Sequence, residues 1–275
     1  MAVHLFKKKT FSSVYQKYMI PASTEIISMV LSFVQEQSNG EPLEMAVDVG
    51  CGTGRYTAPL APHFKRVLGI DISESKINLA KQYNLADNVS YIVAAAEKIP
   101  LKTASVDLVN AGLAAHWFTV DKFASEATRV LKKNGCLAAH AFYPGNEIEY
   151  KDLSQELSAV IAEAWDNLLQ HGDKSNEHMF CQYKHIYEAI PLKDKYRITD
   201  IPVTFQMSVP EIIGFFQSLY MFQVFKEKDE NKAKQFLEQT VKRYSIQFRE
   251  VLGEEADSVQ LNVHMKHYCV LACKH

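Results

Sequence analysis

The run Val47–Gly54 (VDVGCGTG) combines an apolar stretch, an acidic residue and three alternating glycines. Glycine lacks a Cβ and tolerates positive φ, so the backbone of such a loop can approach a ligand closely. The next apolar run, Val67–Ile70, is followed by an isolated acid, Asp71, whose carboxylate suits the paired hydroxyls of a ribose. The spacing therefore predicts a site for a cofactor that contains adenosine.

The order of glycines and acids separates the candidate cofactors. A phosphate-binding P-loop requires G-x-x-x-x-G-K-[ST], and no lysine follows Gly54. A dinucleotide site uses G-x-G-x-x-G, whereas Gly50, Gly52 and Gly54 are spaced G-x-G-x-G. Asp48, just before the loop, would repel a pyrophosphate but can engage a cationic group, directly or through water. S-adenosylmethionine, which carries an ammonium, a sulfonium and no phosphate, fits both observations.

The elements that must position these residues follow from hydrophobic periodicity. A helix is predicted at 23–37, and five short apolar runs then alternate with helix-compatible segments, at 45–49, 67–70, 89–93, 106–110 and 136–142. Strands that alternate with helices imply a parallel sheet. Residues 196–207 and 263–273 alternate as two further strands, and the aromatic-rich helical stretch between them, from Pro210 to Leu252, predicts a cap.

Three smaller features complete the expected layout. Lys132–Gly135 is predicted to be a turn before the fifth strand, residues 151–171 one long helix, and Asp173–Glu177 a polar break. We expect one domain over residues 1–275. Its core would cover about 22–145, 196–207 and 262–275, and its helical additions about 146–190 and 208–252.

Composition argues against several classes of function. The 275 residues include 30 basic and 32 acidic residues, so the formal charge of −2 creates no field that attracts nucleic acid or anionic membrane. Five cysteines without paired spacing indicate neither a disulfide framework nor a metal site. No apolar run approaches the roughly 20 residues that span a bilayer, and no signal-peptide pattern is visible. We expect a cytoplasmic monomer or homodimer whose partner is a small molecule.

Several segments resemble the class I methyltransferases that use S-adenosylmethionine, in the same order along the chain: residues 48–54, 69–73, 96–100, 105–109 and 129–135. The resemblance covers residues 45–142. It implies an α/β, Rossmann-like sheet of seven mostly parallel strands, with the last strand antiparallel and a helical cap inserted between the last two strands. A narrower resemblance, to the trans-aconitate methyltransferase-like and juvenile hormone acid methyltransferase-like small-molecule enzymes, rests on residues 11–18, 114–118 and 218–220.

The resemblance implies a cofactor-binding set that lies mainly on the loops after the first four strands. Asp71 would bind the ribose, Ile72 would stack against the adenine, and the glycine loop would contact the amino-acid part. Glu97 could instead be an ordinary surface acid. The complete predicted set is Tyr18, Asp48, Gly50, Cys51, Gly52, Asp71, Ile72, Ala96, Glu97, Asn110 and Ala111.

The methyl acceptor is expected near His116, just after the fourth strand. His116 could be a general base or a hydrogen-bond donor to substrate, or a structural histidine that caps the next helix. A carboxylate acceptor is anionic at pH 7 and needs no base, whereas an amine or a hydroxyl needs one. We predict a small acidic acceptor. The alternatives are N-methylation or hydroxyl O-methylation of a small molecule, and a catalytically silent subunit. The predicted substrate set is Tyr15, His116, Trp117, Tyr143 and Tyr220.

Overall fold

The computed structural model describes residues 3–6, 8–172, 175–252 and 258–275. In this part of the chain seven strands form one sheet: β1 Met45–Val49, β2 Arg66–Asp71, β3 Val89–Val93, β4 Val106–Gly112, β5 Leu131–Glu149, β6 Asp194–Met207 and β7 Leu261–Lys274. Their order is β3-β2-β1-β4-β5-β7-β6. Strands β1 to β5 pair in parallel, and the last strand is antiparallel. The predicted Rossmann-like sheet is therefore confirmed.

Helices connect and extend this sheet. The described residues form α1 Val3–Phe6, α2 Lys9–Tyr18, α3 Thr24–Ser38, α4 Glu74–Tyr83, α5 Val120–Val130, α6 Ser154–Leu169, α7 Ser175–Phe180, α8 Lys184–Ala189, α9 Val209–Ser218, α10 Tyr220–Lys228 and α11 Glu230–Leu252. Short 3-10 helices cover Ala58–His63, Ala115–Trp117 and Lys151–Leu153. None of the helices named here combines the length and the apolar character needed to cross a bilayer.

Serine side chains fix the start of three helices. Ser23 and Ser73 each accept a hydrogen bond from a backbone N–H of the first turn, in α3 and α4. At α9, Ser208 and Glu211 form a reciprocal capping box, and Pro210 occupies the first turn as predicted. These caps satisfy N–H groups that a helix leaves without an intrahelical partner, so the helix starts are set by local sequence.

One local expectation is wrong in detail, and a second lies only partly within the described residues. Lys132–Gly135 does not precede the fifth strand but lies inside β5, which follows α5 directly. Val106 pairs with Leu131 and Leu108 with Cys136, so β5 advances five residues where β4 advances two. The three extra residues make a bulge-like irregularity in the ladder, and Asn134 within it has a left-handed φ of 61°. The predicted break at 173–177 falls partly on residues outside the described ones, and Glu177 lies within α7.

The chain divides into two compact units. The sheet unit comprises residues 21–143, 175–201 and 267–275, and it holds β1 to β4, the loops after them and residues 131–143 of β5. The cap unit comprises residues 1–20, 144–174 and 202–266, and it holds α2, α6 and α9 to α11. Helices α7 and α8 belong to the sheet unit. The expectation of a single domain stays a prediction.

Candidate functional site

The site lies at the carboxyl ends of β1, β2 and β4 in the sheet unit. The chain runs outward from β1 to β3 and then returns to β4 on the other side of β1, so the strand order reverses between β1 and β4. Open α/β sheets bind their ligands outside the strand ends at such a reversal. The segments that follow these strands therefore form the candidate site.

The glycine loop after β1 is packed tightly against its neighbours. The N–H groups of Gly50 and Cys51 both donate to the carbonyl of Ile70, at 2.8 and 2.9 Å. Gly50 has a φ of 71°, and a Cβ built on it would lie 2.5 Å from the Cβ of Ala114 and 2.9 Å from the ring of Phe118. Only glycine can hold this turn, both because of its φ and because of the space.

Asp71 ties the glycine loop to the end of β2. Its Oδ2 accepts the N–H of Gly52 at 2.9 Å, and its Oδ1 accepts the N–H of Ser73 at 2.8 Å. Each carboxylate oxygen has a second lone pair, so the half-buried group retains acceptor capacity for ribose hydroxyls. The neighbouring Ile72 is 46% exposed and offers an apolar face. These groups fit the ribose and adenine of the predicted cofactor.

A buried relay of polar side chains lies beneath the loop. Thr57 Oγ1 donates to Asp48 Oδ2 at 2.6 Å, and Asn110 Nδ2 donates to Asp48 Oδ1 at 2.8 Å. His140 Nε2 lies 3.1 Å from Asn110 Oδ1 and is the donor of that bond, because the Asn110 amide nitrogen faces Asp48. Burial raises the pKa of Asp48 to about 6. The structure thus places Asp48 within the base of the loop.

His140 shows the opposite effect of burial. Loss of solvation, with a smaller contribution from the charge of His267, lowers the pKa of His140 to about 3. The ring is therefore neutral near pH 7 and takes its place in the relay as a donor to Asn110. Sequence reasoning missed both Thr57 and His140, because neither follows from the glycine motif.

His116 lies in the 3-10 helix Ala115–Trp117 directly after β4, and it is 8% exposed. Its Nδ1 is 2.8 Å from the hydroxyl of Tyr183, which is fully buried between α7 and α8. Sequence reasoning missed Tyr183 as well, because a turn between two short helices has no periodic pattern. The imidazole of His116 and the phenol of Tyr183 therefore lie together, next to the point where the strand order reverses.

Other predicted cofactor residues have structural partners. Glu97 Oε1 accepts the N–H of Thr119 at 2.8 Å, so it holds the start of α5. Ala96 and Ala111 are buried in the core of the sheet unit. Cys51 is also buried, and burial raises the pKa of its thiol well above the usual value. The predicted roles of these residues stay predictions.

The predicted tyrosines all pack against aromatic or glycine neighbours within their own units. In the cap unit, Tyr15 contacts Phe11 edge to face and Tyr220 stacks on Phe6. The ring of Tyr18 occupies the space that a Cβ on Gly214 of α9 would need, 2.1 Å from that position. In the sheet unit, Tyr143 meets Phe180 edge to face at 6.0 Å. Their predicted contacts with cofactor or substrate stay predictions.

The sequence and the fold are similar to those of known proteins. Residues 47–139 match the family model described as a methyltransferase domain. A Dictyostelium discoideum protein named as a methyltransferase is 27% identical, over 96% of this chain and 94% of that protein. A malonyl-[acyl-carrier protein] O-methyltransferase of Yersinia pestis is 27% identical, over 64% of this chain and 59% of that protein.

A solved structure from Anaeromyxobacter dehalogenans, named as a type II methyltransferase, shares the fold. It superposes with a TM-score of 0.68 at 20% identity, covering 94% of this chain and 100% of its own. The matched domain, the ordered motifs and the sheet order agree. The protein is a methyltransferase: residues 47–139 carry the methyltransferase domain, and the ordered motifs resemble those of the class I S-adenosylmethionine-dependent enzymes.

Proposed function

We propose that the protein methylates a carboxylate oxygen of a small molecule. The observation that carries the proposal is the partner of His116, a phenol 2.8 Å from Nδ1. Burial raises the pKa of Tyr183, so this phenol keeps its proton and carries no negative charge that would strengthen the imidazole as a base. Enzymes that use a histidine base commonly orient it with an acidic group. A carboxylate acceptor requires no such base.

The cofactor-binding role of the loop rests on Asp71, Ile72 and the glycine turn. Asp71 would hold the ribose hydroxyls, Ile72 would cover the adenine, and the loop backbone would line the amino-acid part. S-adenosylmethionine supplies the activated methyl group when bound and leaves as S-adenosylhomocysteine. The contribution of this chain is to align the acceptor and exclude water, and alignment of this kind can contribute about 7–11 kcal/mol.

Two resemblances support an acidic acceptor. The Yersinia pestis relative is named for O-methylation of a malonyl group, and a malonyl group offers a carboxylate. The narrower resemblance at residues 11–18, 114–118 and 218–220 points to enzymes that methylate small acids. We propose a free small acid as the acceptor, bound near His116 and Trp117.

Asp71→Asn is expected to weaken cofactor binding by about 10- to 100-fold, because hydrogen bonds to a charged group contribute about 1.5–3 kcal/mol. The amide also presents a donor to one of the two N–H groups that now donate to the carboxylate. Titration calorimetry with S-adenosylhomocysteine measures the change. Asp87→Asn, at an exposed carboxylate before β3, is the matched control and should bind normally. Equal affinity in both variants would exclude Asp71 from the cofactor site.

The acceptor is tested by incubating the protein with isotope-labelled S-adenosylmethionine and metabolite extracts, and by reading the products by mass. The proposal expects one or more labelled small acids. Labelled amines or alcohols would contradict it. Cofactor binding without transfer to any extract would favour a catalytically silent subunit instead.

A further inference from the structure

We propose that Tyr183 is a positioning residue that holds His116 in the tautomer with its proton on Nε2, so that His116 donates a hydrogen bond to the acceptor and does not act as its base. The tautomer is a property of the protein alone. Only the step from this tautomer to the choice of acceptor rests on the proposed function.

Tyr183 is held rigidly enough to impose an orientation. It adopts a left-handed φ of 57° between α7 and α8, and its side chain is fully enclosed. The ring of Tyr268 on β7 packs edge to face against it, with centroids 4.9 Å apart. The hydroxyl therefore meets the 3-10 helix Ala115–Trp117 at a fixed point, 2.8 Å from His116 Nδ1.

The hydrogen-bond inventory of the phenol decides which atom donates. A tyrosine hydroxyl has one proton to give and two lone pairs. Burial raises the pKa of Tyr183, and the backbone N–H groups of His116 and Ala115 partly offset this shift, as donors directed at the phenol oxygen do. These groups begin the 3-10 helix, whose own bonds run from Trp117 and Phe118 back to Ala114 and Ala115. Because these N–H groups are directed at the oxygen, its single proton is left for its hydrogen-bond partner, His116 Nδ1 at 2.8 Å.

An Nδ1 that accepts fixes the neutral imidazole. The ring then carries its proton on Nε2, which can donate to a substrate but has no lone pair with which to accept a proton. A carboxylate is satisfied by such a donor. An amine or a hydroxyl that must lose a proton gains nothing from it. Tyr183 would thereby select anionic acceptors without touching them.

The tautomer is measured by ¹⁵N NMR of the histidine side chains, with the His116 signals assigned by their loss in His116→Gln. Wild type should show a protonated Nε2 and a bare Nδ1. Tyr183→Phe, which removes only the hydroxyl, should shift the ring toward a mixture of tautomers. The matched control is Tyr268→Phe, because the Tyr268 hydroxyl has no hydrogen-bond partner in the described part of the chain. It should leave the His116 signals unchanged. A protonated Nδ1 in wild type would overturn the inference.

Kinetics with the acid found in the extract screen tests the consequence. Tyr183→Phe should raise KM for the acceptor about tenfold, as expected for a weakened hydrogen bond to a charged group, with the affinity for S-adenosylhomocysteine unchanged. His116→Gln, whose amide can donate from near the Nε2 position, should retain more activity than His116→Asn. Equal losses in the two His116 variants would contradict the assigned donor.

The two proposals can fail separately. If the Nε2 tautomer is observed and no acid is methylated, the proposed function fails and the role of Tyr183 stands. If acids are methylated but His116 is protonated on Nδ1, the role of Tyr183 fails alone. Should Tyr183→Phe not fold, the wild-type spectrum and the two His116 variants still decide the question.

Discussion

Gly50→Ala is expected to abolish cofactor binding and to lower the free energy of unfolding by about 2–4 kcal/mol. Two effects add. The φ of 71° is unfavourable for any residue with a Cβ, and the new methyl would lie 2.5 Å from the Cβ of Ala114. Because Ala114 and Phe118 belong to the segment after β4, relief of this clash would move the loop and the acceptor side of the site together. Urea unfolding and calorimetry with S-adenosylhomocysteine measure both effects.

Gly40→Ala separates backbone strain from the clash. Gly40 has a φ of 82°, and a Cβ built on it meets nothing within 4 Å. In this control only backbone strain should lower the free energy of unfolding, by about 1–2 kcal/mol, and cofactor binding should be normal. If Gly40→Ala weakened binding as much as Gly50→Ala, the packing of the loop against Ala114 would not be what positions the cofactor.

His140→Gln is expected to remove a large pH-dependent contribution to stability. The pKa of His140 in the folded protein, about 3, lies below the usual value of about 6.5. The unfolded chain therefore binds the proton first as the pH falls. The stabilisation is complete above about pH 6.5 and is lost as the pH falls toward 3. Between about pH 7 and pH 4, the free energy of unfolding of wild type should fall by about 3 kcal/mol more than that of the variant.

Glutamine is chosen because its amide can still donate to Asn110 Oδ1, and the relay with Asp48 is therefore preserved. Comparison with wild type also cancels the titration of Asp48, which both proteins share. His63→Gln, at an exposed histidine, should follow the wild-type pH profile. Unfolding curves across this pH range measure the difference, and parallel profiles for wild type and His140→Gln would contradict a buried neutral ring.

The backbone of the site could be predicted from the sequence, because its signals are local. Glycines at 50, 52 and 54 and the acid at 71 stand at fixed distances from apolar runs, so the strand ends locate them. Alternation of two likewise predicts β6 and β7. The same alternation does not predict that β5 continues to Glu149, because the sequence patterns of a bulge and of Pro144 inside a strand are also typical of turns.

The side-chain partners could not be predicted in the same way. His116 and Tyr183 are 67 residues apart, and Asn110 and His140 are 30 apart. Periodicity indicates which face of a strand a residue occupies, but it does not indicate which distant polar group meets it there. Asp48 illustrates the difference. The sequence predicts an acid at the loop, but it does not predict that Thr57 and Asn110 donate hydrogen bonds to this carboxylate and make it part of a buried relay.

The most direct test of carboxylate methylation is the alkali stability of the labelled product. The product formed from labelled S-adenosylmethionine is purified, treated with mild alkali and weighed again by mass spectrometry. A methyl ester returns to the parent acid and releases the label as methanol, which is the expected result. A product that keeps its labelled methyl group would be an N-methyl compound or an ether, and would contradict an acid acceptor.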